Sequence, residues 1–136
     1  MKVAIVGTST RLSENEERDV RQYCSQIIKS YDIKNTKIIS GGAKGVDTIA
    51  IEIANSLFYK TEIYHPLSNT WIGYKERNIR LASDCDELFC ITTPVHKSRC
   101  YHHFPPQEHQ KTAGCFTLKH AKNFGKTTTL FVTPKR

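Results

Sequence analysis

The sequence lacks any apolar run that approaches the roughly 20 residues of a membrane-spanning helix. Its first apolar stretch, within residues 1–7, is too short for a signal peptide and ends in a turn without a small-residue cleavage site. Internal repeats are also absent. We therefore expect a cytoplasmic protein without a membrane partner, and the length of 136 residues predicts one domain, residues 1–136.

The sequence also lacks a paired set of cysteines. Its five cysteines are an odd and scattered set, which does not suggest a disulfide framework. Cys24 and Cys90 fall on apolar faces, and their simplest interpretation is as small buried hydrophobic residues.

A block of consecutive basic residues is missing too, although the formal net charge is +7. A positive charge of this size favours anionic partners, either nucleotides or nucleic acid, through long-range attraction. Because the charge is spread along the chain, an ordinary solvated basic surface is the alternative interpretation.

Among the features that are present, the most informative is the glycine-rich turn at residues 40–47, Ser-Gly-Gly-Ala-Lys-Gly-Val-Asp. Its glycines let the backbone pass close to a ligand and adopt left-handed angles. The helix expected to follow directs its N–H groups and the positive end of its dipole at this turn, which favours an anion. The alternative is a tight strand-to-helix connection in which Asp47 serves the first helical turn.

Strands and helices alternate along the predicted chain. Apolar runs predict five strands, at residues 2–6, 37–40, 61–64, 87–92 and 127–132, and helical periodicity predicts four helices, at about 14–31, 46–57, 68–83 and 113–124. Residues 95–111 form an irregular insertion rich in His, Pro and Cys. Right-handed crossovers then predict a parallel sheet of order 3-2-1-4-5 in a Rossmann-like three-layer α/β sandwich.

Ligands of open parallel sheets bind beyond the carboxyl ends of the strands, where the strand order reverses. The loops that follow the predicted strands are residues 7–11, 41–45, 65–69 and 92–111 together with the C-terminal tail. They hold nearly all of the unusual residues of the chain, so we expect the binding site at this edge of the sheet.

Five segments in a fixed order resemble the SLOG superfamily, which groups the SMF/DprA proteins, the LOG phosphoribohydrolases and the small YspA/YpsA-like proteins. The resemblance covers nearly the whole chain and is greatest for the YspA/YpsA-like branch. The segments are the strand end Val6-Gly7-Thr8, the glycine turn at 40–47, the helical Lys75-Glu76-Arg77-Asn78, the strand after Cys85-Asp86-Glu87, and residues 112–117, Thr-Ala-Gly-Cys-Phe-Thr.

The resemblance implies a pocket for a nucleotide or a nucleotide-derived small molecule, such as a signal ligand. The guanidinium of Arg77 suits phosphate oxygens, and the amide of Asn78 offers a donor and an acceptor to a base or ribose, unless both belong to an exposed helix face. Asp47 either caps its helix or holds a ribose hydroxyl. The implied binding residues are Gly7, Thr8, Ser9, Gly41, Gly42, Lys44, Gly45, Asp47, Arg77, Asn78, Thr112, Ala113 and Gly114.

One departure from the LOG enzymes bears on catalysis. Those enzymes carry a Pro-Gly-Gly-x-Gly-Thr turn followed by a catalytic Glu, whereas here only Gly114 and Thr117 match the turn, and the helix offers Lys119 and His120. The carboxylate that would stabilise an oxocarbenium-like centre is missing. We therefore expect binding rather than LOG-like N-glycosidic hydrolysis, and we assign no catalytic residue.

The insertion contains a second candidate site, for a metal. Thiolates and imidazoles are the ligands that zinc prefers, and Cys100, His103, His109 and Cys115 supply four, with His102 competing for the place of His103. The spacing is not that of a standard finger or ribbon, and a His-rich loop without metal is the alternative. A metal would offset much of the closure entropy of so long a loop.

The sequence thus predicts nucleotide binding, with zinc as a structural cofactor. The alternative is single-stranded nucleic-acid binding like that of the SMF/DprA proteins, through Lys44, Lys75, Arg77, Arg80 and the tail at 135–136. Trp71 either stacks on a base or covers the helix that it starts. A homodimer is compatible with the resemblance, because such relatives often pair through helices.

Overall fold

The computed structural model describes residues 1–94, 99–100 and 107–134. The strands are β1 (Lys2–Gly7), β2 (Lys37–Ser40), β3 (Lys60–Ile63), β4 (Glu87–Thr92), β5 (Arg99–Cys100), β6 (Gln107–Gln110) and β7 (Thr127–Val132). The helices are α1 (Glu14–Lys29), α2 (Val46–Ser56), α3 (Trp71–Asp84) and α4 (Ala113–Asn123). No helix among these residues is long and apolar enough to span a membrane.

Five of the strands form one parallel sheet, in the order β3-β2-β1-β4-β7. This confirms the predicted Rossmann-like α/β fold and strand order, because β7 is the fifth strand of this sheet. The insertion contains an antiparallel pair, β5 with β6, that sequence patterning did not predict. Strand β5 has only two residues, which are too few to show the apolar–polar alternation that predicts a strand. Residues 95–98 and 101–106, and the basic tail at 135–136, lie outside the described residues.

Helix α1 begins where the sequence predicts. The Ser13 hydroxyl accepts from the Glu16 N–H at 3.2 Å, and the Glu16 carboxylate accepts from the Ser13 N–H at 2.9 Å. This reciprocal capping box satisfies two N–H groups that a helix otherwise leaves without partners.

The sheet separates two apolar cores, because successive strand residues face opposite sides. Leu88 and Cys90 of β4 belong to the core beneath α3 and α4. Ile91 belongs to the core beneath α1 and α2, and Phe89 packs against that core. Cys90 is therefore a buried residue of the α4 side, as its apolar setting predicts.

At the carboxyl edge of the sheet, α4 and β1 approach each other closely. A Cβ on Gly114 would lie 2.8 Å from both the Cα and the N of Gly7, and a Cβ on Gly7 would lie 2.0 Å from the carbonyl oxygen of Ile91. Real Cβ atoms do not approach backbone so closely, so both positions require glycine. The first turn of α4 is thereby held against the end of β1.

We predict that Gly114→Ala destabilises the fold by about 1–3 kcal/mol, because the added methyl pushes α4 away from Gly7. The loss should appear even though alanine is the better helix former by about 1 kcal/mol. Urea unfolding measures the change, with Lys119→Ala, at an exposed position of the same helix, as the control. An unchanged unfolding midpoint for Gly114→Ala would contradict the close approach.

Candidate ligand-binding site

A cavity of about 260 Å³ lies at the carboxyl ends of β1 and β2, between α3 and α4. This is the edge at which parallel α/β sheets bind ligands. Its lining comes from four elements of the chain: Val6, Gly7 and Ser9, then Ala43 and Asp47, then Trp71, Tyr74, Arg77 and Asn78, and finally Ala113, Gly114 and Thr117.

The glycine turn owes its shape to two left-handed glycines. Gly42 has φ 73° and Gly45 has φ 85°, conformations that residues with a side chain rarely adopt. A Cβ on Gly45 would lie 2.3 Å from the carbonyl oxygen of Thr8, and that oxygen accepts from the Val46 N–H at 3.1 Å. The start of α2 is therefore fastened to the loop after β1.

Asp47 sits beneath both loops and is buried. Its carboxylate accepts from the Gly41 N–H at 3.2 Å, and the backbone N–H groups of Ala43 and Gly7 also favour its charged form. It does not cap α2, whose N-cap residue is Gly45. Burial raises the pKa of Asp47 to about 6, against the opposing effects of the Arg77 charge and these hydrogen bonds. Asp47 thus joins the two loops that the resemblance implicates.

Arg77 is also buried, and its donors are directed at backbone. Nη1 donates to the carbonyl oxygens of Gly41 and Tyr64, and Nε donates to Asn78 Oδ1 at 2.8 Å. Burial lowers the pKa of Arg77, while the charge of Asp47 opposes the change. Arg77 lines the cavity as expected, and its guanidinium also holds together the ends of β2 and β3.

Asn78 is the most distinctive polar residue of the cavity. It is 4% exposed, and its Oδ1 accepts from Arg77, so the amide orientation is fixed. Nothing among the described residues accepts a hydrogen bond from its Nδ2. A buried donor without a partner costs about 1–3 kcal/mol, which a ligand acceptor would recover.

The predicted binding residues fall into three groups by their position relative to the cavity. Gly7, Ser9, Ala113 and Gly114 line the cavity with Asp47, Arg77 and Asn78. Thr8, Gly41, Gly42, Gly45 and Thr112 lie beside it: Thr8 is buried under the glycine turn, and Thr112 caps α4 by accepting from the Cys115 N–H at 3.2 Å. Lys44 is exposed and lines a separate groove beside α1.

Sequence reasoning missed four lining residues, Val6, Ala43, Tyr74 and Thr117, and left Trp71 without a firm role. Helical spacing was the usable signal for two of them. Tyr74 lies three residues before Arg77 on α3, and Thr117 lies three residues after Gly114 on α4, so each shares a face with an implicated residue.

A second cluster includes Cys115, the residue that follows Gly114. The ligand atoms of Cys100, His109 and Cys115 are buried and lie within 4.8 Å of one another, with His109 Nε2 3.2 Å from Cys115 Sγ. This set could hold a metal ion. Three of the four expected ligands are therefore together, while His103 lies outside the described residues. None of the five cysteines is in a disulfide.

The family model described as DNA recombination-mediator protein A matches residues 1–103. No curated protein matches the chain significantly.

Among solved structures, DNA processing protein A (DprA) from Streptococcus pneumoniae aligns with TM-score 0.67 and 17% identity over 99% of this chain and 50% of its own. The single-stranded-DNA-binding DprA from Helicobacter pylori aligns with TM-score 0.63 and 21% identity over 100% of this chain and 66% of its own. The molybdenum cofactor carrier protein from Chlamydomonas reinhardtii has TM-score 0.66 and 15% identity, over 98% of this chain and 78% of its own. The chain thus spans half to two thirds of the DprA structures.

The buried carboxyl of Asp47 predicts a pH dependence of stability. With its pKa raised from 3.8 to about 6, the folded state holds a proton that the unfolded state has released, so stability falls as pH rises between these values. We predict that the unfolding free energy of the parent minus that of Asp47→Asn decreases by about 2 kcal/mol from pH 4 to pH 7. Urea unfolding across this range measures it. A difference that grows with pH would contradict the burial argument.

Proposed function

The chain belongs to the DNA recombination-mediator protein A family, and we propose that its cavity binds a nucleotide or a nucleotide-derived small molecule. Membership confirms the resemblance to the SLOG superfamily. The YspA/YpsA-like branch stays a prediction.

The observation that carries this proposal is the buried Nδ2 of Asn78, a donor without a partner among the described residues, in the lining of the cavity. Ala113 and Gly114 line the same cavity from the first turn of α4, where backbone N–H groups and the helix dipole favour an anion. An anionic group with several acceptor oxygens, such as a phosphate, satisfies both requirements.

The size and rim of the cavity agree with a mononucleotide. About 260 Å³ is just below the usual range of small-molecule sites, which suits the phosphate and sugar alone. Trp71 is 57% exposed at the rim and rests edge-on against Phe116, with ring centroids 5.6 Å apart. Its indole is available to stack on a base that emerges from the cavity.

The arrangement favours binding over hydrolysis. Asp47 is the carboxylate that lines the cavity within the described part of the chain, and its oxygens accept from backbone N–H groups. A carboxylate engaged in this way is poorly placed to stabilise a developing oxocarbenium ion. Release of free base from nucleoside monophosphates would overturn this part of the proposal.

A thermal-shift screen with mononucleotides, dinucleotides, cyclic nucleotides and ADP-ribose derivatives tests the proposal, because a pocket ligand raises the unfolding midpoint with concentration. We predict that Asn78→Asp weakens the best ligand about 10- to 100-fold, because it replaces the Nδ2 donor by a charged oxygen while an oxygen remains to accept from Arg77. Asn123→Asp, at an exposed position of α4, is the matched control. Equal losses in both variants, or no shift with any nucleotide, would contradict the proposal.

Single-stranded nucleic acid is the second candidate ligand, favoured by the family match, by the DNA-binding DprA from Helicobacter pylori and by the net charge of +7. Salt distinguishes the two. Binding through many phosphates weakens steeply as salt rises, whereas a mononucleotide in a cavity neutralises few charges and should lose much less.

We further propose that the cluster of Cys100, His109 and Cys115 holds a structural zinc ion. Buried thiol and imidazole groups are the donor set of closed zinc sites. Protein purified without a His tag should contain about one zinc per chain by elemental analysis, and chelation should lower the unfolding midpoint. Less than about a tenth of an equivalent would contradict the proposal.

A further inference from the structure

We propose that Cys90 supplies the fourth ligand, so that zinc would sit in a closed site of three cysteines and one histidine formed by Cys90, Cys100, His109 and Cys115. This inference rests on the zinc proposed above. It replaces the fourth ligand expected from sequence, His103, and gives Cys90 a role beyond that of a small buried hydrophobe.

The strand register places Cys90 on the correct side of the sheet. Its neighbours Phe89 and Ile91 belong to the α1 and α2 side, whereas Cys90 belongs to the same core cluster as Cys100 and Cys115. All three of these cysteines are fully buried. The side-chain alternation of β4 therefore delivers a third thiol to the α4 side, where the other two already lie.

Contacts connect Cys90 to the cluster. Its thiol is close enough to those of Cys115 and Cys100 to interact with both. Cys90 Sγ also lies 3.1 Å from the position of a Cβ on Gly114, the residue before Cys115. Cys90 is not in the group whose ligand atoms all lie within 4.8 Å of one another. Zinc coordination would therefore require its sulphur to move toward the other three ligands.

Four ligands from four elements make a closed site. Cys90 comes from β4, Cys100 from β5, His109 from β6 and Cys115 from the first turn of α4. Structural zinc is held tetrahedrally by four such ligands without an open position.

The two candidate ligand sets differ in a quantity that can be measured. The set containing Cys90 has three sulphur ligands and one nitrogen, and the set containing His103 has two of each. X-ray absorption at the zinc edge separates them, because Zn–S distances are about 2.3 Å and Zn–N distances about 2.0–2.1 Å.

We predict three sulphur ligands and one nitrogen in the zinc-loaded parent protein. Two sulphurs and two nitrogens would overturn the role of Cys90 while leaving zinc in place. Protein that takes up no zinc would overturn this inference and the zinc proposal together. Nucleotide affinity is measured separately, so neither result depends on the ligand of the cavity.

Cys90→Ala provides the second measurement. It should weaken zinc binding at least about 100-fold in competition with a chelator, since loss of even an outer partner costs 10- to 100-fold. Cys85→Ala is the matched control, because Cys85 is equally buried in the same core cluster. Equal zinc affinity in the two variants would overturn the inference. If Cys90→Ala does not fold, the sulphur count of the parent still decides.

Discussion

The structure depends most on one buried carboxylate, that of Asp47. It accepts from the Gly41 N–H of the glycine turn after β2, and the backbone N–H groups of Ala43 in that turn and of Gly7 at the end of β1 also favour its charged form. Removing an ionised carboxylate from water is costly, and three backbone donors with the nearby charge of Arg77 only partly offset that cost, as the raised pKa of Asp47 shows. Asp47 therefore joins the two loops at a cost in folding stability. Such a cost is typical of residues that form a functional site.

Arg77 extends the same arrangement to the next strand. By donating to the carbonyl oxygens of Gly41 and Tyr64, it connects the ends of β2 and β3, while its Nε fixes the amide of Asn78. The amide nitrogen that this leaves without a partner is thus held in a defined direction. A polar group that a folded chain buries without pairing is rare, and this one lies in the lining of the cavity.

The sequence predicted the fold well because its signals were local. Apolar runs marked β1, β2, β4 and β7 to within a residue, and the capping box at Ser13 and Glu16 marked the start of α1. The site was harder to predict from the sequence, because it forms where segments that are distant along the chain meet. Glycine spacing indicated the turn at 40–47, but only the structure shows that Asp47 bonds to backbone. The approach of Cys90 to Cys115 likewise arises because one face of β4 packs against α4. The spacing of cysteines along the chain does not predict this contact.

The close contact between Gly7 and Gly114 has a consequence for how a ligand would be bound. With glycine on both sides and backbone against backbone, the first turn of α4 and the end of β1 have little room to move independently. If the cavity binds the proposed ligand, this part of its wall would need little rearrangement on binding. Little conformational entropy would then be lost on association, so even a small ligand with few contacts could be held tightly.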